Sequence, residues 1–367
     1  MRPFTPTTTA LLPVALTFLA PIARAATVCN GHAELCDRLY SNVTFIGAHD
    51  SYAVGSSIAD NQDQDVTTQL NDGIRTLQVQ AHNASDGVHL CHSSCALLDG
   101  GLFSDYLGKV ASWVNSNPNE VISFIIVNID NLPVTSFSSA FSTAGLTNKM
   151  YSPQSSPVDL SAWPSLGTLI DAGTTVVAFI DNQADPSSVP YLIDEFSNVW
   201  EDAYDVTDQS FGCAVNRTTG SAGSQMMLIN HFLDTTYTLG GTQLFVPDRD
   251  RINETNAETG TGSIGFHVDN CHSIWGRNPN HILLDFYDSN GNAPFNVAAS
   301  LNGVSQPTNT IAASTPTATT SSGGTARVST SSLSSGAVPV FSGFVATAIL
   351  GVGVISSIVL GVGRVLL

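Results

Sequence analysis

The chain has 367 residues, with 30 Asp and Glu against 12 Lys and Arg, giving a formal net charge of -18. All the acidic residues lie between Glu34 and Asp288, while Arg2, Arg24, Arg327 and Arg364 fall near the ends, so the region between is more acidic still. This balance argues against nucleic acid and against electrostatic adsorption to anionic lipid, since both depend on clustered Lys and Arg. Residues 1–25 combine Arg2, an apolar stretch through Leu11–Ala20 and the small-x-small site Ala23-Arg-Ala25, which reads as a secretory signal peptide. Residues 26–304 are expected to form one domain, long enough for a substantial core. Within it, apolar runs at Val43–Ala48, Ile74–Ala81, Val88–Cys91, Val121–Asn128, Thr175–Ile180, Met226–Asn230 and Ile282–Phe286 predict strands. Asp105–Val114, stopped by Asn117-Pro118, and Pro190–Trp200 predict helices. Continuous rather than alternating apolar strands imply burial on both faces, as in a parallel sheet covered by helices. Seven or eight such strands in an α/β domain of this size predict a TIM-type barrel, with a doubly wound sheet as the alternative. Residues 305–336 read as a Ser/Thr-rich stalk, a composition that disfavours a packed core. Residues 337–367 are apolar apart from Arg364, and Ser321-Ser-Gly-Gly324 precedes them by a polar spacer. This fits a GPI-attachment signal or a retained membrane span.

Six cysteines in an exported chain invite pairing. Cys29 with Cys36 and Cys91 with Cys95 are the local choices, leaving Cys213 with Cys271, although fifteen connectivities are permitted. A bridge across Cys91-His-Ser-Ser-Cys95 would brace the loop that carries His92. Asn42, Asn83, Asn216 and Asn253 each head an Asn-x-Thr/Ser sequon and are candidate glycosylation sites.

If the domain is a barrel, polar residues gather at the C-terminal ends of its strands, where such barrels build their sites. His49 and Asp50 follow the first run, and Gln78, Gln80 and His82 lie along the second. His92 follows the third, Asn128 ends the fourth, His231 follows Met226–Asn230, and Asp285 lies in the last run. Two histidines opening into one pocket supply a general base and a general acid, the pair that phosphodiester cleavage needs.

Gly47-Ala-His-Asp-Ser51, Gln69-Leu-Asn-Asp-Gly-Ile-Arg-Thr-Leu-Gln78, His92 and Asn117-Pro-Asn-Glu-Val-Ile122 occur in that order. Together with Leu283-Leu-Asp-Phe-Tyr287, they resemble the catalytic X region of phosphatidylinositol-specific phospholipases C. The secreted, GPI-anchored fungal phospholipase-C-like phosphodiesterases are the members most similar in this respect. The resemblance runs from about Asn42 to Asn302 and implies a distorted TIM barrel with an intramolecular-transfer mechanism. It implies that His49 is the base deprotonating the hydroxyl beside the phosphodiester and His92 the acid protonating the departing alcohol. Asp285 would orient a histidine, and Asp50 would act beside the base.

The second strand departs from that pattern. Bacterial members place an arginine beside the phosphate and eukaryotic signalling members place calcium-binding carboxylates, where this chain has Gln78 and Gln80. A lysine carried by the bacterial enzymes is also replaced, by Val127-Asn128. No metal or other cofactor is therefore expected, because calcium wants several carboxylate oxygens. Gln78, Gln80, His82, Asn128 and His231 are expected to bind substrate, with His82 or His231 replacing the missing cation at low pH. Arg75 at the strand start is expected to be structural. The expected function is cell-surface cleavage of a lipid or glycolipid phosphodiester, the C-terminal anchor holding the protein at the plasma membrane or cell wall. The alternative is a non-catalytic module binding phospho-inositol or glycan in the same pocket.

Overall fold

The computed structural model describes residues 25–239 and 242–311, so the leader, most of the stalk and the apolar tail lie outside the described residues. In chain order the strands are β1 (Phe45–Ala48), β2 (Thr76–Ala84), β3 (Gly87–Cys91), β4 (Asp99–Leu102), β5 (Ile122–Asn128) and β6 (Val176–Ile180). They continue as β7 (Leu192–Asp194), β8 (Val199–Glu201), β9 (Met226–Asn230), β10 (Asp234–Leu239), β11 (Thr242–Pro247) and β12 (His281–Leu284). The helices are α1 (Val66–Asp72), α2 (Phe103–Ser116), α3 (Val134–Thr143) and α4 (Leu166–Ala172), then α5 (Glu195–Asn198), α6 (Ile252–Thr255), α7 (Ile264–Trp275) and α8 (Ala293–Asn302).

Eight strands form one parallel path in the order β7-β6-β5-β2-β1-β12-β9-β8. Chain order is therefore kept around a curled sheet that returns on itself at β1 and β12, which rules out the doubly wound alternative. Among the described residues no ladder joins β7 to β8, so the fold is a distorted TIM barrel open at that seam. Alternate residues along each strand feed two cores. Ile46, Phe124, Ile126, Ala178 and Ile229 pack with helix residues such as Phe103, Leu107 and Phe137. Phe45, Ile125, Phe179, Leu228 and Leu283 pack together with Tyr40 and Trp163.

Two expectations are corrected. Pro190–Trp200 is not a helix, because Leu192–Asp194 pairs with β6 and Val199–Glu201 with β9, leaving only a single turn between them. Its apolar spacing suits either structure, and ladder hydrogen bonds on both sides decide for strands. Val88–Cys91 is not a barrel strand. It pairs antiparallel with β2 and then with β4, as an excursion beside the barrel.

The disulfides are Cys29–Cys36, Cys91–Cys95 and Cys213–Cys271, the local pairing with its remainder. Asn42, Asn83, Asn216 and Asn253 are all exposed.

Gly47 sets how closely β1 sits between its neighbours. A Cβ there would lie 2.6 Å from Leu283 Cδ2 and 2.9 Å from Thr76 Cβ. Gly47→Ala should therefore destabilise the fold by about 1–3 kcal/mol, the usual scale of overpacking. Chemical denaturation checks this, and an unchanged midpoint would show that β1 tolerates displacement.

Candidate functional site

The chain emerges from β1 directly into His49 and from β12 directly into Asp285. The two ends lie level because Ala48 pairs with Leu284. Nδ1 of His49 donates to Asp285 Oδ1 at 2.9 Å, and Asn61 Nδ2 donates to the same oxygen at 2.9 Å. The imidazole lies flat on the Phe232 ring, with centroids 3.9 Å apart. Fixed on that face and at Nδ1, the ring keeps Nε2 as its free edge. Burial works against its charge, but Asp285 and then Asp50 outweigh burial and raise the imidazole to about 9.

His92 arrives from the other side, on the turn closed by Cys91–Cys95. Its Nδ1 donates to the Ala59 carbonyl at 2.6 Å, which again leaves Nε2 free. Between the histidines stands Asp50, whose Oδ2 lies 3.8 Å from His49 Nε2 and 3.6 Å from His92 Nε2. Asp50 is fully buried, and burial pushes its carboxyl up while both imidazoles pull it back. Its backbone is left-handed, with φ 39°, a conformation Asp tolerates better than most residues. Gln78 accepts from the Asp50 amide at 2.6 Å, and Gln80 donates to Asp50 Oδ2 at 2.9 Å. Gln80 also accepts from the Ser93 amide.

These groups open on a cavity of about 400 Å³ lined by His49, His92, Gln78 and Gln80. The hairpin β10–β11 walls one side through Asp234 and Phe245. Arg217 contributes the only Lys or Arg side chain lining it among the described residues. The guanidinium is ion-paired through Nε and Nη2 with buried Glu201 and lies over the rings of Tyr204 and Phe196. Burial opposes its charge, but Glu201 and Glu195 prevail and hold the proton more firmly.

Three expected substrate contacts stand elsewhere. His82 faces Asp130 at 3.5 Å, where β2 runs on into its antiparallel pairing with β3, and does not line the cavity. The Asn128 side chain bonds Leu132 and Asn182 and so shapes the loop after β5, leaving its neighbours Val127 and Ile129 on the cavity wall. His231 is wholly buried between His267 and the Thr255 carbonyl. Burial pushes it down to about 3, so it stays neutral and cannot supply the missing cation. Arg75 lies against Glu120 and Trp113, outside the cavity.

Asn61, Phe232, Asp234 and Arg217 were not marked by any sequence motif. All but Asp234, the first residue of β10, lie in connections between elements, where apolar periodicity carries no signal. For Arg217 the scarcity of basic residues in the domain was the one available clue. Gln78 and Gln80 do not fit a calcium ion, since neither offers a carboxylate and both amides already hold Asp50 and its loop. Two other clusters of potential ligands include Cys91 and Cys271, whose sulfurs are in disulfides.

Because His231 is kept neutral, its contribution to stability is complete above pH 6.5, its ordinary value, and is lost as pH falls from there toward 3. His231→Gln should therefore flatten the fall of Tm between pH 6.5 and 4 in thermal scans. An unaltered slope would contradict a neutral buried imidazole.

The PI-PLC X family model, described as PI-PLC X 1, matches residues 35–302. An Arthroderma benhamiae protein named PI-PLC X domain-containing protein 1 is 44% identical over 263 residues, covering 71% of this chain and 85% of that one. A second protein of that organism, named uncharacterized secreted protein, is 41% identical over 284 residues, covering 75% of this chain. The chain spans 64% of that relative's length, under two thirds. A PI-PLC X domain-containing protein of Arabidopsis thaliana is 23% identical, covering 66% of this chain and 55% of its own. Among solved structures, the phosphatidylinositol-specific phospholipase C of Listeria monocytogenes superposes with a TM-score of 0.45 at 13% identity, covering 68% of this chain and 90% of that one. With the family model spanning most of the barrel and a relative at 44% identity, the chain belongs to the PI-PLC X domain family.

Proposed function

We propose that the domain cleaves a lipid or glycolipid phosphodiester by intramolecular transfer, using His49 and His92. The observation that carries this reading is the pair of free Nε2 edges facing each other across one Asp50 oxygen, each ring fixed at its Nδ1. His49 Nε2 takes the proton of a hydroxyl next to the phosphodiester, and the oxygen attacks phosphorus. The bond to the alcohol breaks as His92 gives that alcohol its Nε2 proton, leaving a cyclic phosphate that water opens in a second step. Asp285 holds the His49 tautomer and the imidazolium that forms, and Asp50 fixes the spacing of the two rings. Arg217 supplies positive charge to the phosphoryl oxygens.

Its site is at the cell surface, after export under residues 1–25 and attachment through residues 337–367. The three disulfides support an oxidising destination, and one relative is named as a secreted protein. Among the described residues no helix is long and apolar enough to cross a membrane.

One observation favours exchanged roles. With its imidazole raised to about 9, His49 holds its proton at neutral pH and is poised as the acid, leaving the free Nε2 edge of His92 as the candidate base. The pH dependence of kcat/KM separates the two assignments. With His49 as base, activity climbs toward pH 9; with His49 as acid, it falls above that value. In either case Asp285→Asn moves this limb to lower pH, because the largest favourable charge is gone.

His49→Ala and His92→Ala should each lower kcat/KM by about 10²–10⁴ on a panel of lipid phosphodiesters, with circular dichroism unchanged. Undiminished turnover in both variants would sink the reading.

A further inference from the structure

Asp234 opens the hairpin β10–β11 and lines the cavity beside Phe232 and Phe245. The residue is only 6% exposed, yet among the described residues its carboxylate has neither a hydrogen-bond nor an ion-pair partner. The nearby acids are committed: Asp285 to His49 and Asn61, Asp50 to Gln80, and Glu201 to Arg217. Asp205, exposed and also on the cavity wall, adds another carboxylate without a cation. Such an arrangement leaves a purely anionic guest with nothing to offer Asp234, its phosphate being met instead by Arg217 and His49. It favours one that brings its own positive charge. The Phe245 ring is at hand for that charge, well exposed on the cavity wall, whereas Phe232 and Tyr204 already stack on His49 and Arg217.

We propose that Asp234, helped by Asp205 and the ring of Phe245, is a subsite for an ammonium group, and that the substrate is a zwitterionic phosphodiester carrying its amine on the His49 side of the phosphate. The substrate part of this inference rests on the phosphodiesterase reading above; the ammonium subsite does not. The Asp234 oxygens are not among the sealed, unsatisfied ones, so the carboxylate faces the cavity and is open to a ligand that completes it. Burial and then Asp285 hold the Asp234 carboxyl up at about 8, with His49 pulling the other way. An arriving ammonium would ionise it and release a proton.

The test is calorimetric titration of the full chain at pH 7.5 with phosphoethanolamine, phosphocholine and glycerol 3-phosphate, in two buffers of different ionisation enthalpy. The amine-bearing phosphates are expected to bind at least tenfold more tightly than glycerol 3-phosphate, with proton release. Asp234→Asn should abolish both the preference and the release. Because it removes an unpaired buried charge, the same variant should have a higher Tm than the parent at pH 8.5 and a similar Tm at pH 4; a purely structural Asp234 would give a lower Tm at both. Equal affinities for the three phosphates, or a preference that survives in Asp234→Asn, would overturn the subsite. Asp234-dependent amine binding without cleavage of any phosphodiester would uphold the subsite and refute the proposed function. Cleavage of phosphatidylinositol as fast as of amine-bearing diesters, with a ratio untouched in Asp234→Asn, would refute the subsite and leave the function standing.

Discussion

The register of β1 between β2 and β12 is the constraint on which the site depends. Gly47 pairs with Leu283 on one side and Thr76 on the other, and Ala48 with Leu284 and Leu77. The next residues, His49, Asp285 and Gln78, therefore lie at one level, the first two just past their strands and Gln78 within β2. Side chains alternate along a strand, so a slip of one residue would turn Asp285 away from His49. Gln62 fastens the alignment by donating to the carbonyls of both His49 and Leu284. The absence of a side chain at Gly47 is what permits the strands to approach so closely.

Phosphodiester chemistry is served best by positive charge, yet among the described residues the wall of this cavity sets Glu201, Asp205 and Asp234 against a single guanidinium. Its one guanidinium is tethered by Glu201 and held between Phe196 and Tyr204, a rigid placement rather than a mobile finger. The other positive charge is a proton on His49, kept there by Asp285 and Asp50. The charge of the pocket is thus adjustable by proton transfer, which suits a site whose proposed work is to move protons.

The barrel was largely legible because β1, β5, β6, β9 and β12 are buried, mostly apolar runs, and β2 sets Leu77, Val79 and Ala81 on one face between its polar residues. The short strands β7 and β8 were not, since three residues carry no periodicity and the ladders from β6 and β9 determine their state. For the site, residues fixed by strand ends could be read: His49, Asp50, Gln78, Gln80 and Asp285 meet where a barrel would bring them. His92 also reaches the cavity, but from an antiparallel excursion and a disulfide-closed turn rather than from a barrel strand. His82, Asn128 and His231 could not be told from cavity residues, because a polar residue after a strand serves a loop as readily as a pocket. The reverse failure concerns Phe232, Asp234 and Arg217, whose positions follow from how the hairpin and the loop after β8 fold back over the mouth.

The pairing of β1 with β12 also has a consequence in time. Its crowning bond, from His49 to Asp285, joins residues 236 positions apart. A chain made from its N-terminus forms β1 first and can pair it early with β2, but the opposite edge stays bare until nearly the whole barrel has been synthesised. Contacts so distant in sequence form slowly, and a bare strand edge invites pairing with other chains. The dyad is accordingly a late product of folding, absent from any fragment that stops short of Asp285, so the His49–Asp285 pair arrives only with the completed barrel.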